Sequence, residues 1–177
     1  MNKMDLAAEI YRISYLQGEF KLRSGQTSQE YFDKYRFEAQ PLLLRAVAQH
    51  LKFLIPQNTE VLAGLEMGGI PIATALSLET GLPAAFVRKE AKSYGTCLLA
   101  EGSEIKGRQV CIIEDVVTTG GQILLSCQDL RAAGAQVDQV LCVIHRGTEI
   151  PTTLTENNLK LSSLFTMDEL KSTAKFL

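Results

Sequence analysis

The first fifty residues combine two helical patterns with a short alternating stretch between them. Apolar residues recur at helical spacing over residues 4–17, and Gly18 ends this first predicted helix. Phe20 and Leu22 then alternate with charged residues before a Ser-Gly turn, which predicts a short strand or ribbon. A second helix is predicted over residues 41–51.

Beyond residue 58 the pattern changes to short apolar runs that alternate with helical segments. The predicted strands are residues 61–65, 84–87, 110–113 and 140–144, and the predicted helices are residues 70–79 and 122–133. Strands that are apolar throughout, with helices between them, indicate a parallel sheet covered on both faces. Residues 89–107 lack clear periodicity and carry three glycines, so they form either a long loop or partly a ribbon.

Length and charge limit the number of domains and the classes of ligand that this α/β chain can have. A chain of 177 residues with 46% hydrophobic content is long enough for one domain with a sizeable core. Lys and Arg number 18 against 20 for Asp and Glu, so no broad positive field favours nucleic acid or an anionic membrane. We therefore expect any bound anion to be held by a few placed residues.

Cysteine spacing and the N-terminal segment favour a reducing, cytoplasmic setting. The four cysteines form no C-x-x-C pair, and with two histidines the sequence shows no zinc-ligand cluster. Three of them lie in apolar segments, as reduced core cysteines do. Residues 1–18 lack the apolar core and cleavage site of a secretory signal, and no apolar run is long enough to span a bilayer.

Residues 110–122 carry the strongest chemical signal. They read VCIIEDVVTTGGQ, in which an apolar strand is followed by the acidic pair Glu114 and Asp115 and by a Thr-Thr-Gly-Gly run. In an open α/β sheet, ligands bind beyond the carboxyl ends of the strands. The glycines let the backbone approach an anion, the hydroxyls add donors, and the next helix points free N–H groups at the same place. The loop is therefore suited to one phosphate group.

The acidic pair limits what else such a ligand contains. Two carboxylates beside a phosphate would repel it, unless they address ribose hydroxyls or a metal ion bound to the same ligand. Alternatively, the pair only caps the turn, or belongs to another doubly wound protein that binds Mg²⁺ there. The spacing alone leaves these alternatives open.

The same stretch resembles the signature for phosphoribosyl pyrophosphate (PRPP) in type I phosphoribosyltransferases. The resemblance implies an open, mostly parallel sheet flanked by helices, with a small N-terminal hood. It implies one domain over residues 1–177, with the hood in about 1–50 and the α/β core in about 58–170. It also implies that the acidic pair holds the ribose 2- and 3-hydroxyls and that the next loop holds the 5-phosphate. The PRPP-binding residues implied here are Glu114, Asp115, Val116, Val117, Thr118, Thr119, Gly120, Gly121 and Gln122.

Residues 86–95, FVRKEAKSYG, resemble the segment of the orotate branch that runs into its mobile catalytic loop. Pyrophosphate leaves with growing negative charge, which Arg88, Lys89 and Lys92 can offset once the loop closes and excludes water. The resemblance makes Lys92 the catalytic residue. Because its counterpart acts in the neighbouring subunit's active site, the resemblance also implies a homodimer. A solvated basic run at the end of a strand is the alternative.

Two further segments resemble those that bind orotate in this branch. The stretch GEFKLRSGQTSQEYFDKYRFE resembles the segment that covers the active site, and Arg23 stands where family members often have Lys. The charge is kept, but Arg differs from Lys in geometry. In VIHRGTE, Arg146 matches the family's orotate-binding Arg, whose guanidinium can hold a carboxylate through two parallel hydrogen bonds. The resemblance adds Thr118 to the orotate contacts.

Some residues in and near these segments are expected to pack rather than to bind. At least one of Tyr31, Phe32 and Phe37 is expected to be a core residue. His145 is expected to be a packed strand residue and not an acid or base. Residues 161–170, LSSLFTMDEL, resemble the family's closing strand and helix.

The chain departs from the family pattern at two places. Residues 63–73, AGLEMGGIPIA, take the place of the pyrophosphate loop, with Met67 and Gly68 as implied PRPP contacts. Many members carry a basic residue at the position of Gly68, so backbone N–H groups must do more here. Tyr94, also an implied PRPP contact, stands where many members have His, and a phenol is uncharged near pH 7.

The expected reaction is a Mg²⁺-dependent transfer of the phosphoribosyl group from PRPP to orotate, which releases pyrophosphate and forms orotidine 5'-monophosphate. Mg²⁺ is expected to arrive with PRPP and not on direct protein ligands. A phosphoribosyltransferase for another base and a PRPP-binding regulatory homologue are the alternatives. Lys92 and Arg146 argue against the second, and a nucleic-acid regulator would be expected to show a basic face or an added DNA-binding domain.

Overall fold

The computed structural model describes residues 1–21, 25–89 and 99–173. Arg23, Lys92 and Tyr94 lie outside the described residues. The described helices are α1 (Lys3–Ser14), α2 (Tyr35–Glu38), α3 (Pro41–Leu51), α4 (Gly69–Thr80), α5 (Gly121–Ala132), α6 (Thr152–Thr155) and α7 (Met167–Thr173), with a 3-10 turn at Lys52–Leu54. The described strands are β1 (Tyr15–Lys21), β2 (Thr27–Phe32), β3 (Val61–Leu65), β4 (Ala84–Val87), β5 (Ala100–Gly102), β6 (Gln109–Val117), β7 (Gln136–His145) and β8 (Lys160–Thr166).

A six-stranded sheet lies at the centre, in the order β5-β4-β3-β6-β7-β8. The strands from β4 to β8 in that order pair in parallel, and β5 pairs antiparallel with β4 at the edge. Strands β1 and β2 form a separate antiparallel hairpin. The prediction of an open, mostly parallel α/β sheet is therefore confirmed.

The central strands bury both of their faces, as their unbroken apolar runs predicted. Successive side chains point to opposite faces, so Leu62 packs towards α1, α3 and α4, while Val61 and Ala63 pack towards α5. Leu62 and Ala63 are fully buried. Burial of a large aliphatic side chain such as Leu62 contributes roughly 1.5 to 3 kcal/mol to the stability of the sheet that carries the site.

The first helix is shorter than predicted. It ends at Ser14, where the Tyr15 N–H closes the last turn on the Tyr11 carbonyl. The chain then continues as β1, whose Tyr15 pairs with Phe32 of β2. Gly18 therefore lies inside a strand, with φ of 149°, and does not end a helix. Helical spacing could not foresee this because the pairing partner is more than ten residues away.

Strand β6 extends four residues further than predicted. It pairs with β7 as far as the register Val117 to His145, so Glu114 and Asp115 belong to the strand and do not follow it. Three shorter elements were not predicted as such: α2, α6, and β5 near the end of the 89–107 segment, which is therefore partly a ribbon. No helix in the described ranges is long and apolar enough to cross a membrane.

Candidate active site

A pocket of about 350 Å³ opens at the carboxyl ends of β3, β4 and β6. This edge is where the sequence placed the PRPP site. Among the predicted contacts, the pocket is lined by Met67, Lys89 and Glu114. It is also lined by the loop that follows β6. Residues that line the pocket are Lys34, Tyr35, Glu66, Met67, Lys89, Glu114 and 116–123.

The loop between β6 and α5 is held in shape by α6. Thr153 Oγ1 donates a hydrogen bond of 2.7 Å to the Thr119 carbonyl oxygen. Gly120 has φ of 74°, and a Cβ on it would lie 2.9 Å from the Leu154 side chain. Glycine is therefore required at 120 by backbone conformation and by packing against α6. This reason differs from the predicted one, which was space for a phosphate.

Gly121 is the glycine of this loop whose change leaves the fold intact. It begins α5, and a Cβ on it would meet no atom within 4 Å. The first N–H groups of α5 have no partner within the helix, and together with the helix dipole they favour an anion at this end. Because Gly121 lines the pocket, a side chain there would enter the space of such an anion.

Gly121→Asp should weaken PRPP binding at least about 10-fold, because it places a negative charge beside the 5-phosphate. The measurement is calorimetric titration with PRPP, with circular dichroism to monitor the fold. Gln128→Glu adds the same charge on the exposed surface of α5 and should leave the affinity unchanged. Equal affinities in both variants and the wild type would place the phosphate elsewhere.

The two acidic residues of β6 differ in environment. Glu114 lines the pocket, whereas the Asp115 side chain is fully buried beneath it. Burial, together with hydrogen bonding to Asp115 and its charge, raises the pKa of Glu114 to about 9. Burial disfavours ionisation of Asp115, but hydrogen bonds from Glu114 and Lys34 outweigh it and lower its pKa. The pair therefore carries about one negative charge at neutral pH and repels a phosphate less than two carboxylates would.

Two residues of the segment around α2 complete this cluster, and the sequence did not single out either. The Lys34 ammonium lies 2.6 Å from Asp115 Oδ2. Glu38 is buried, and its carboxyl is close enough to Asp115 for the charge of Asp115 to act on it. Burial and the negative charge of Asp115 raise the pKa of Glu38 to about 9, so this carboxyl is protonated at neutral pH. The sequence signal for them was the charged run Asp-Lys-Tyr-Arg-Phe-Glu around the core residue Phe37. This run alone does not reveal that its side chains contact β6.

Gly68 and Gly69 explain one departure from the family pattern. A Cβ built on Gly68 would overlap Asp115 Oδ2, and a Cβ built on Gly69 would overlap the Ile113 carbonyl oxygen. The loop after β3 thus packs its backbone directly against β6. Any side chain at 68 would require Asp115 or the loop to move, so the absence of a basic residue there is a consequence of packing.

The basic run after β4 is partly described. Lys89 lines the pocket. Arg88 is half-buried and is not among the lining residues; its backbone N–H donates to the Leu99 carbonyl oxygen. The structure thus brings Lys89, but not Arg88, to the predicted PRPP site. Lys92 and Tyr94 lie outside the described residues.

A second pocket of about 360 Å³ adjoins the carboxyl end of β7. Arg146 follows this strand, and its N–H donates to the Val117 carbonyl oxygen, which ties the two pockets to neighbouring strand ends. The Arg146 guanidinium is exposed and lies 5.7 Å from the centre of the Phe32 ring. Thr118, predicted to contact orotate, lines the first pocket instead. The second pocket is lined by Tyr11, Tyr15, Ser28, Glu30, Tyr31, Phe32, Arg146, Met167 and Lys171.

The predicted burial of these packing residues is confirmed. Phe37 is fully buried in the core, and His145 is buried at the end of β7. Cys111, Cys127 and Cys142 are free and buried. Tyr31, by contrast, is 43% exposed and available to a ligand.

This combination of sheet edge, acidic pair and glycine loop defines a class of protein. Residues 35–152 match the phosphoribosyl transferase domain family. An orotate phosphoribosyltransferase from Mycobacterium tuberculosis, solved with PRPP, superposes with a TM-score of 0.82 at 27% identity, over 96% of this chain and 98% of that chain. Structural and sequence comparisons therefore agree on the fold and on its class.

Sequence comparison with curated relatives shows to which branch of this class the chain belongs. An orotate phosphoribosyltransferase from Nocardioides sp. is 52% identical over 165 residues, which cover 93% of this chain and 92% of the relative. Another from Methanocella arvoryzae is 42% identical over 153 residues, which cover 86% of this chain and 87% of the relative. The chain belongs to the orotate phosphoribosyltransferases of the phosphoribosyltransferase family.

Proposed function

We propose that this chain transfers the phosphoribosyl group of PRPP to orotate, forming orotidine 5'-monophosphate and pyrophosphate in pyrimidine biosynthesis. The observation that carries the proposal is the meeting of two pockets at neighbouring strand ends, one suited to a phosphorylated ribose and one to a planar anion. The names of the relatives point to the same reaction.

PRPP would occupy the pocket beyond β6. Its 5-phosphate would lie on the loop from Thr118 to Gly121 and accept hydrogen bonds from the N-terminus of α5. Its ribose hydroxyls would face Glu114 and Asp115. Because Glu114 is protonated and Asp115 is ionised, the pair offers a donor as well as acceptors, which suits hydroxyl groups.

Orotate would occupy the second pocket. Its carboxylate would pair with Arg146, and its ring would lie among aromatic side chains such as Tyr31 and Phe32. Phe32 already orients the guanidinium from below, so less of its freedom is lost on binding. Arg23 is a further orotate contact in this proposal, as the family resemblance implies.

Mg²⁺ fits this site as part of the PRPP complex. Asp115 already pairs with Lys34 at 2.6 Å, so its carboxylate offers little free coordination to a divalent ion, which suits an ion carried by PRPP. Mg²⁺ bound to PRPP would supply part of the charge that offsets the departing pyrophosphate.

Catalysis would rest on position and charge. The two pockets hold the ribose and the base beside each other, and Lys89 together with Lys92 offsets the negative charge that grows on pyrophosphate. The ribose C1 then becomes oxocarbenium-like, and orotate N1 attacks from the face opposite the leaving group. No covalent enzyme intermediate is required.

A homodimer in the cytoplasm is part of the proposal. A groove of about 480 Å³ between α3 and α4 is lined partly by Leu44 and Leu78. Leu78 is 85% exposed, and the nearby helix α3 also exposes Leu42. Exposed apolar residues of this size are typical of surfaces that a partner covers.

The direct test is product formation. The protein with Mg²⁺, PRPP and orotate should consume orotate and form orotidylate, followed by chromatography, and chelation of Mg²⁺ should stop the reaction. Binding of PRPP without any product would indicate the regulatory homologue instead.

A further inference from the structure

Lys34 occupies a place in the PRPP pocket that neither the motif nor the family resemblance assigned. It precedes α2, yet it lines the pocket at the carboxyl end of β6. Its ammonium lies 2.6 Å from Asp115 Oδ2 and 5.3 Å from the centre of the Tyr35 ring. The Lys34 side chain is 31% exposed, whereas Asp115 is fully buried. One side of the cation therefore faces its carboxylate and the other faces the pocket.

Positive charge is scarce in this pocket. The loop of residues 63–73 contains no basic residue, and the described lining residues include two cations, Lys34 and Lys89. The lining also carries the carboxyl groups of Glu66 and Glu114. A ligand with a phosphate at one end and a pyrophosphate at the other gains from each further cation that reaches its pyrophosphate end.

The absence of a basic side chain at Gly68 is related to the position of Lys34. A Cβ on Gly68 would overlap the same Asp115 Oδ2 that Lys34 contacts. A side chain at 68 and the Lys34 ammonium would therefore compete for one space beside Asp115. The absence of a side chain at 68 leaves this space to Lys34.

We propose that Lys34 binds the pyrophosphate group of PRPP, so that a lysine from the N-terminal segment supplies the positive charge that the loop at Gly68 lacks. The inference rests on the proposed function of the pocket. In the ligand-free protein Lys34 pairs with Asp115; when PRPP binds, the ribose hydroxyls take over Asp115 and the ammonium turns to the pyrophosphate. The lysine is already partly desolvated before the ligand arrives, which lowers the cost of binding.

Glu38 makes this exchange feasible. Its carboxyl is buried, and burial together with the charge of Asp115 raises its pKa, so Glu38 can donate a hydrogen bond to Asp115. Asp115 thus keeps a donor when Lys34 turns away, and its charge is not left without a partner. Glu38 is a positioning residue in this arrangement, because it touches Asp115 and not the ligand.

The test measures binding of the pyrophosphate end and of the ribose 5-phosphate end of PRPP separately. Lys34→Met should weaken binding of inorganic pyrophosphate with Mg²⁺ at least about 10-fold in calorimetry, and binding of ribose 5-phosphate less than about 3-fold. The KM for PRPP should rise, and Lys34→Arg should recover part of the loss. Lys52→Met is the matched control, because Lys52 is 32% exposed, pairs with Glu79 at 3.3 Å and lies outside the pocket. Unchanged pyrophosphate binding, or equal loss for both ligands, would overturn the proposal.

A second comparison distinguishes direct binding by Lys34 from a loss of folding and from an indirect effect through Asp115. Asp115→Asn removes the charge that Lys34 neutralises, and Lys34→Met in this background leaves no buried unpaired charge. If Lys34 binds pyrophosphate, the double variant should bind it about 10-fold more weakly than Asp115→Asn alone. If Lys34 only neutralises Asp115, the two should bind it equally. A wild type that forms no orotidylate would instead count against the proposed function itself.

Discussion

Lys92→Ala should lower kcat for orotidylate formation by about 100- to 1,000-fold and change the KM for PRPP much less. The reason is that its ammonium offsets negative charge on the departing pyrophosphate, which is greater in the transition state than in bound PRPP. Lys92 lies three residues beyond Lys89, which lines the pocket, so the chain connection allows it to reach a site at this edge. Steady-state kinetics with both substrates measures the effect.

One set of variants provides the control for Lys92→Ala and tests whether Lys92 acts in its own subunit or in the neighbouring one. Lys160→Ala removes an exposed lysine at the start of β8 and should leave kcat unchanged. If Lys92 acts in the neighbouring subunit, mixing Lys92→Ala with Arg146→Ala should restore about a quarter of wild-type activity, since half of the dimers are mixed and each has one intact site. No recovery after subunit exchange would mean that each site is complete within one chain. Turnover near that of the wild type in Lys92→Ala would remove it from the mechanism.

Arg146→Ala should reduce kcat/KM for orotate by about 10- to 150-fold while PRPP affinity is kept, because the loss is one charge-assisted pair with the carboxylate. A larger loss would be expected of a buried guanidinium, but Arg146 is exposed in the ligand-free structure. PRPP binding is spared because the phosphate loop follows β6 and Arg146 follows β7. Kinetics with varied orotate, together with calorimetry for PRPP, tests both halves.

Two further variants sharpen that test. Arg108→Ala removes another exposed arginine at the opposite end of β6, where it pairs with Glu60, and should leave orotate kinetics intact. Phe32→Leu should produce a smaller loss than Arg146→Ala, because it removes the ring that orients the guanidinium and leaves the charge. Normal use of orotate by Arg146→Ala would end the assignment of the base pocket, although PRPP transfer to another base could survive.

The core of the fold was predictable because its signals are local. Apolar runs gave β3, β4 and β7, and helical spacing with a proline at the start gave α3. Pairing between distant strands was not predictable in this way. The end of α1 and the continuation of β6 to Val117 both depend on partners that periodicity does not reveal.

The site was predictable where the chain brings its residues together in sequence. Residues 114–122 run without interruption from the end of β6 into the start of α5, so their spacing alone indicated a phosphate loop. Lys34 and Glu38 reach Asp115 across about eighty positions and carry no motif. The reason for Gly68 was equally hidden, because the overlap with Asp115 exists only in the folded chain.

Base selection by the wild-type protein is the most direct measurement of the central claim. The protein with Mg²⁺ and PRPP is offered orotate, uracil, adenine, guanine and hypoxanthine in separate reactions, and released pyrophosphate is measured. Orotate should give rapid release, and uracil, which lacks only the carboxylate that Arg146 addresses, should give at least about 10-fold less. The purines should give release no faster than the reaction without base. Release that is faster with a purine or equal with uracil would contradict the assignment of orotate.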